Sequence, residues 1–169
     1  MRIFQFLVVT ALVLVSCGDN MGNNTSGSAE LQDGSMWTVN GGGFTDQSDL
    51  TVHIILRSTD EFDYGQEVHF NHVPLITDTI RLQYVSPISD DLSSYILTRI
   101  EDVASESFEL YQNIQPSSWL LFNKIDNKKL QGEFQAVYVL EEAWNFPERS
   151  HFPFDTVIMI EGKFNVQRF

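Results

Sequence analysis

Several groups of side chains in this sequence have types that could do chemistry. Asp60, Glu61 and Asp63 fall in one short stretch, STDEFDYG. Hard carboxylate oxygens at close spacing suit calcium. The stretch lacks the ligand order of an EF-hand and its closing glutamate, so the plain alternative is a solvated acidic loop. Asp90-Asp91 and Glu141-Glu142 read the same way. The run EEAWNFPERSHFPFD, 141–155, brings Trp144, Phe146, Phe152 and Phe154 together with Arg149, His151 and two prolines. Rings on a loop stack on sugar faces or on apolar partner groups. Trp144, Phe146, Arg149, His151 and Phe152 are therefore the candidate ligand-binding set, with Trp144 foremost. The same rings could instead fold back and cap one end of the fold, because buried aromatics mainly contribute area.

His69 and His72 stand three apart. On a strand they point to opposite faces and cannot share a zinc ion, and His53 and His151 have no evident partner. No Gly-x-Ser-x-Gly motif is present, nor a serine with a recognisable base. Two carboxylates for glycoside hydrolysis are a matter of spatial separation rather than sequence spacing. With 23 acidic residues some pair will always be close. No catalytic residue is assigned, a non-enzymatic protein is expected, and no cofactor beyond calcium is considered.

The single cysteine, Cys17, sits at the end of a distinctive start. Arg2 leads an apolar run from Ile3 to Val15, broken only by Gln5 and Thr10, which closes on Leu14-Val15-Ser16-Cys17. A short apolar run with a basic lead and small residues at its end reads as a secretory signal rather than a membrane span. The closing residues resemble the lipobox of bacterial lipoproteins. The resemblance implies cleavage before Cys17 and lipidation of its thiol. It divides the chain into a signal over 1–16, a lipidated and polar tether over 17–34, and one domain over 35–169. Gly18, where an aspartate would favour inner-membrane retention, points to the outer membrane. The expected partners are the membrane, through the lipid, and an envelope protein or glycan.

The bulk numbers agree with a single anchored domain. Of 169 residues, enough remain after the signal to bury a core. The formal charge is −13, and losing Arg2 takes it one unit further. Phosphate binding needs a basic face, which argues against nucleic acid. So acidic a chain also argues against contact between the folded domain and anionic lipid headgroups. One cysteine excludes an intramolecular disulfide.

The elements that must hold these residues read as strands. Met36 to Asn40 alternates and Gly41-Gly42-Gly43 reads as the turn that ends it. Leu50 to Arg57 puts Leu50, Val52, Ile54 and Leu56 on one face and Thr51, His53 and Arg57 on the other. Glu67 to Val73 points Val68, Phe70 and His72 inward. Thr79 to Tyr84 follows. Residues 92–114 fit either a helix or two strands, and their β-branched and aromatic content favours strands. Trp119 to Ile125 and Leu130 to Leu140 flank a hairpin turn at Asp126-Asn127-Lys128-Lys129. In the last strand, Thr156 to Val166, one face carries Ile158, Ile160, Gly162, Phe164 and Val166. Gly132 and Gly162 each lie two residues before a phenylalanine and make room for a neighbouring ring or a bend. About eight to ten short strands predict an all-β fold, an antiparallel β-sandwich or partly open barrel.

The segments MWTVNGGGFT, KIDNKKLQGEFQAVYV and DTVIMIEGKFNV together resemble a family of small Bacteroidota lipoproteins of unknown function, the DUF6252-like group. Its members join a lipobox and polar tether to an opening strand that ends in a glycine turn, and to closing strands carrying Gly-x-Phe. The matching residues are Gly41, Gly132 with Phe134, and Gly162 with Phe164. The 141–155 loop departs from the family's shorter connection. The resemblance implies a fold and an envelope location, and no active site.

Overall fold

Alternation with a period of two dominates the sequence, and the structure resolves it into strands. The computed structural model describes residues 25–48, 50–59, 64–83, 92–100, 103–111, 116–143 and 155–169. Within them run eleven strands: β1 (Ser26–Leu31), β2 (Met36–Val39), β3 (Gly41–Ser48), β4 (Thr51–Thr59), β5 (Tyr64–Pro74), β6 (Ile80–Arg81), β7 (Ser93–Ile100), β8 (Val103–Leu110), β9 (Trp119–Ile125), β10 (Lys129–Ala143) and β11 (Thr156–Gln167). The fold is all-β, as the alternation predicts.

The strands form one sheet in the order β2-β1-β11-β10-β8-β7-β5-β4-β3, with every ladder antiparallel. The long β10 divides one edge between two partners. Its first half pairs with β9 and its second half with β8, and β9 also takes β6. β2 runs through Asn40 into β3, so the two edges of the path are consecutive in the chain. Across the seam, Phe44 of β3 makes an isolated parallel bridge with Arg168, just past the end of β11, and the sheet is not closed into a barrel.

Antiparallel pairing sorts the connections to two ends. One end holds the start of β1, the β3–β4 turn, the end of β5, the β9–β10 turn and the end of β11. The other holds the β1–β2, β4–β5, β7–β8 and β10–β11 connections. The inward face between them carries the core. It includes Val52, Ile54 and Leu56 of β4, Val68 and Phe70 of β5, Ile96 of β7, Phe108 of β8, and Leu130, Phe134, Ala136 and Tyr138 of β10, all buried. Each large apolar side chain removed from water contributes about 1.5–3 kcal/mol.

Five expectations need correction. The tether does not extend to residue 34, because Ser26–Leu31 forms β1, hydrogen-bonded between β2 and β11. Its small residues serve packing. Ala29 is fully buried, and a Cβ on Gly27 would lie 3.2 Å from both Phe164 Cα and Val39 Cγ2. Gly41-Gly42-Gly43 is not a turn but the start of β3, where a Cβ on Gly43 would lie 2.7 Å from the Gln167 carbonyl oxygen. Leu50 is not inward but 75% exposed in the β3–β4 turn.

Two further corrections share a cause. His72 (φ 51°) and Glu161 (φ 50°) sit at β-bulges. An extra residue reverses which parity faces the core. Phe70 and Val73 therefore both point inward with His72 turned away, and in β11 the inward set is Val157 and Met159, then Gly162, Phe164 and Val166. Elsewhere the strand expected from Thr79 is described as Ile80–Arg81, Ser93–Ile100 and Val103–Leu110 are two strands, and the 126–129 turn closes with reciprocal bonds between Asp126 and Lys129.

Candidate functional site

The outward face of β4, β5 and β7 gathers a group of polar and aromatic side chains. Strand alternation points His53 and Arg57 outward from β4, Glu67 and His69 from β5, and Tyr95 and Arg99 from β7. Register then brings them together. Arg57 is paired directly across from Glu67, and His69 directly across from Tyr95.

Glu67 is the hub. Its Oε1 accepts from Arg57 Nε at 2.7 Å, with Arg57 Nη2 at 2.5 Å. Its Oε2 lies 3.1 Å from His69 Nε2 and 3.3 Å from Arg99 Nε. The Arg99 contact is an ion pair by distance only, because its Nε–H is not aligned to donate. Glu67 and His69 are buried, although both arginines reach solvent. The hydrogen bond from His69, with Arg57 and Arg99 nearby, holds the Glu67 carboxyl down to about 2 against the opposing effect of burial.

The row continues outward. His69 Nδ1 lies 3.1 Å from His53 Nε2. The His53 and His69 rings stack at 5.3 Å, and His69 and Tyr95 stack at 4.5 Å with planes 9° apart. With Glu67 ionised, His69 donates through Nε2–H. In the neutral pair His53 then donates through its own Nε2–H and keeps Nδ1 as an acceptor. Burial, with His69 and His72 close by, pushes His53 down to about 4. Burial also pushes the Tyr95 phenol up.

This carboxylate–imidazole–imidazole row orders tautomers and fixes rings. Its outermost base binds a proton only below neutral pH. Efficient general-base catalysis wants a pKa near the working pH, and burial holds His53 below its ordinary value. Among the described residues no group of three or more His, Cys, Asp or Glu side chains converges to hold a metal ion.

Two other polar clusters lie inside. Tyr138, fully buried, shares a 2.7 Å bond with Ser94 Oγ, which itself donates to the His69 carbonyl at 2.8 Å. Thr98 Oγ1 lies 2.8 Å from Ser105 Oγ and 3.4 Å from Glu106 Oε2.

Cys17, the candidate metal ligands Asp60, Glu61 and Asp63, and the candidate ligand-binding residues Trp144, Phe146, Arg149, His151 and Phe152 all lie outside the described residues. The strands that flank them are described. Thr59 and Tyr64 end and begin β4 and β5, and Ala143 and Thr156 do the same for β10 and β11. Both connections therefore leave the same end of the sheet, opposite the end at which β1 begins.

The Glu67 cluster was not found by sequence spacing. His53 and His69 are 16 residues apart, and Glu67 and Arg99 are 32 apart. The available signal was the outward parity of each strand, which becomes a contact only once register is known.

Compared with known proteins, the chain matches no family model, no curated protein and no solved structure.

Proposed function

We propose that this chain is a lipid-anchored protein of the cell envelope, held at the outer membrane through Cys17. It acts as a non-enzymatic interaction module for an envelope protein or glycan. The observation that carries the reading is polarity of layout. The chain joins the sheet at Ser26, a short way after Cys17, at one end, and the β4–β5 and β10–β11 connections leave from the other. An anchored domain built this way turns those connections away from its anchor. The Glu67 row fits a binding surface, because Arg57 and Arg99 reach solvent on either side of a buried carboxylate.

The decisive experiment is fractionation of cells expressing the full chain and Cys17→Ala. The wild type partitions with the membrane and the variant is released. A variant that stays with the membrane sinks the anchor.

A second reading is favoured by the shared end of the two connections. There 141–155 would bind a glycan, with calcium held by Asp60, Glu61 and Asp63. A ligand specific to the folded state adds about 2.7 kcal/mol at a hundred times its dissociation constant. A thermal-shift screen against oligosaccharides and divalent cations would then show a rise that Trp144→Ala abolishes. A rise unchanged in that variant places the binding elsewhere.

A further inference from the structure

The net charge of −13 hides an uneven distribution. Of the four lysines, three lie in or beside the β9–β10 turn: Lys124, Lys128 and Lys129. Arg168 joins them, its backbone N–H donating to the Lys128 carbonyl at 3.0 Å. The counter-charges here are Asp126, which accepts from the Lys128 backbone N–H, and Asp46, which pairs with Arg168 at 2.6 Å. Asp78 lies beyond the end of β5 at the same end of the sheet. Among the described residues the four basic side chains thus outnumber the acids of the β9–β10 turn and its neighbour, Asp126 and Asp46, in a protein that is otherwise strongly acidic. Asp78 flanks the apolar side of this end, and in the sequence Asp49 directly precedes Leu50.

The same end exposes apolar side chains. Leu50 in the β3–β4 turn is 75% exposed, Phe169 68% and Ile76 45%. Leu50 and Ile76 are neighbours, since the Leu50 carbonyl accepts from Leu75 N–H at 3.0 Å. Phe169 lies against Gly43, next to the point where Thr25 Oγ1 bonds the Gly42 carbonyl. β1 begins at this end. Seven residues, 18–24, separate Cys17 from Thr25, and even a fully stretched chain of that length reaches only about 25–30 Å.

We propose that this end of the sheet is a membrane-docking surface, seated on an anionic phospholipid leaflet. The proposal rests on the lipid-anchor reading of Cys17 and gives that anchor an orientation. Lys124, Lys128, Lys129 and Arg168 meet the headgroups, and Leu50, Ile76 and Phe169 enter the interface between headgroups and acyl chains. Each basic side chain near an anionic leaflet is worth roughly a fivefold gain in partition, within a Debye length of the surface. A short connection to the lipid holds the end within that range. The acidity of the whole chain does not oppose the contact, because most of the described carboxylates lie elsewhere.

The test uses the acylated full chain in vesicles of phosphatidylcholine with phosphatidylglycerol and a bilayer-located quencher. Acylated Cys17 leaves an introduced cysteine as the single free thiol. Fluorophores are attached at Leu50→Cys and, at the far end, at Val103→Cys, where the native side chain is 56% exposed. The label at 50 should be quenched several-fold more than the label at 103. Raised salt, or Lys128→Glu with Lys129→Glu, should reduce that quenching. Equal quenching at both positions, or quenching at 50 that ignores salt and charge reversal, overturns the docking surface. Detergent-phase partition of the same preparations reads the anchor separately. Protein that partitions but shows no difference between positions sinks the docking alone, whereas protein that fails to partition sinks both.

Discussion

Phe134 occupies the space left by Gly162. The two residues are partners across β10 and β11, and a Cβ on Gly162 would lie 2.6 Å from the Phe134 ring. The arrangement is reciprocal, because Gly132 faces Phe164 and a Cβ there would lie 2.6 Å from that ring. Phe134 also meets Phe70 edge-on at 5.4 Å, and Phe164 meets Phe122 at 6.1 Å. Gly162→Ala and Gly132→Ala should each destabilise by about 1–3 kcal/mol through overpacking. Phe134→Ala and Phe164→Ala should each cost about 3–5 kcal/mol. Urea titration measures all four. A neutral Gly162→Ala would mean the ring moves aside freely. In a Phe134→Leu background the penalty of Gly162→Ala should shrink, and this separates the clash from any effect of glycine on the backbone.

Removing the hub of the polar row should cost more than removing a spoke. Glu67→Gln removes the charge that Arg57 and Arg99 pair with and leaves one accepting oxygen where there were two, so Arg57 and His69 cannot both keep their bonds, and breaking such a buried pair costs about 3–5 kcal/mol. Partial exposure of both arginines places the expectation at the low end. Arg57→Ala should cost less, since His69 and Arg99 remain at Glu67. Denaturant midpoints that rank the two the other way would show Arg57 to be the more important partner.

Acid should weaken the fold in two overlapping windows. His53 binds its proton at about 4 when folded, against an ordinary 6.5. Between those values the unfolded chain takes up a proton that the folded one refuses, so stability declines as pH falls from 6.5 to 4. Glu67 is held at about 2 against 4.5. Its contribution is complete above 4.5 and is lost as pH falls through 2. A profile of melting temperature against pH should therefore descend from near 6.5 downward. His53→Gln should flatten the upper window and leave the lower one. A profile that is level from 6.5 to 4 in the wild type would contradict the buried His53–His69 contact.

The bond between Tyr138 and Ser94 ties the core of β10 to β7. Ser94 gives its proton to the His69 carbonyl, so the Tyr138 O–H donates to Ser94 Oγ. Tyr138→Phe should cost about 0.5–1.5 kcal/mol, and Ser94→Ala about 1–3 kcal/mol because it strands a buried phenol. Burial pushes that phenol up, so alkaline titration should leave one tyrosine un-ionised until the protein unfolds. Ionisation of every tyrosine in the folded protein would place Tyr138 in contact with water.

The candidate residues were legible only in part. His53, Arg57, Glu67 and His69 all stood on the correct outward parity in the strand reading, but nothing within a strand shows which residue lies across from which. His72 and Ile158 were misassigned for a local reason. A bulge adds one residue without changing composition, and neither His72 nor Glu161 is a glycine that would have signalled positive φ. Ser26–Leu31 misled in a different way, because small polar residues suit a loose tether and a tightly packed strand equally well.

The sequence by itself determined what depends on neighbours along the chain: the all-β class, the hairpin at 126–129 and the inward face of β4. Alternation, turn chemistry and apolar runs are local, so they survive without coordinates. Tertiary structure alone decided the register that joins Glu67 to Arg57 and Arg99, the stacking of His53 on His69, the place of β1 inside the sheet, and the gathering of Lys128, Lys129 and Arg168 at the end where β1 begins. Each of these depends on backbone hydrogen bonds between strands far apart in the chain. The energy that selects one pairing over another is shared across whole ladders and the core they enclose.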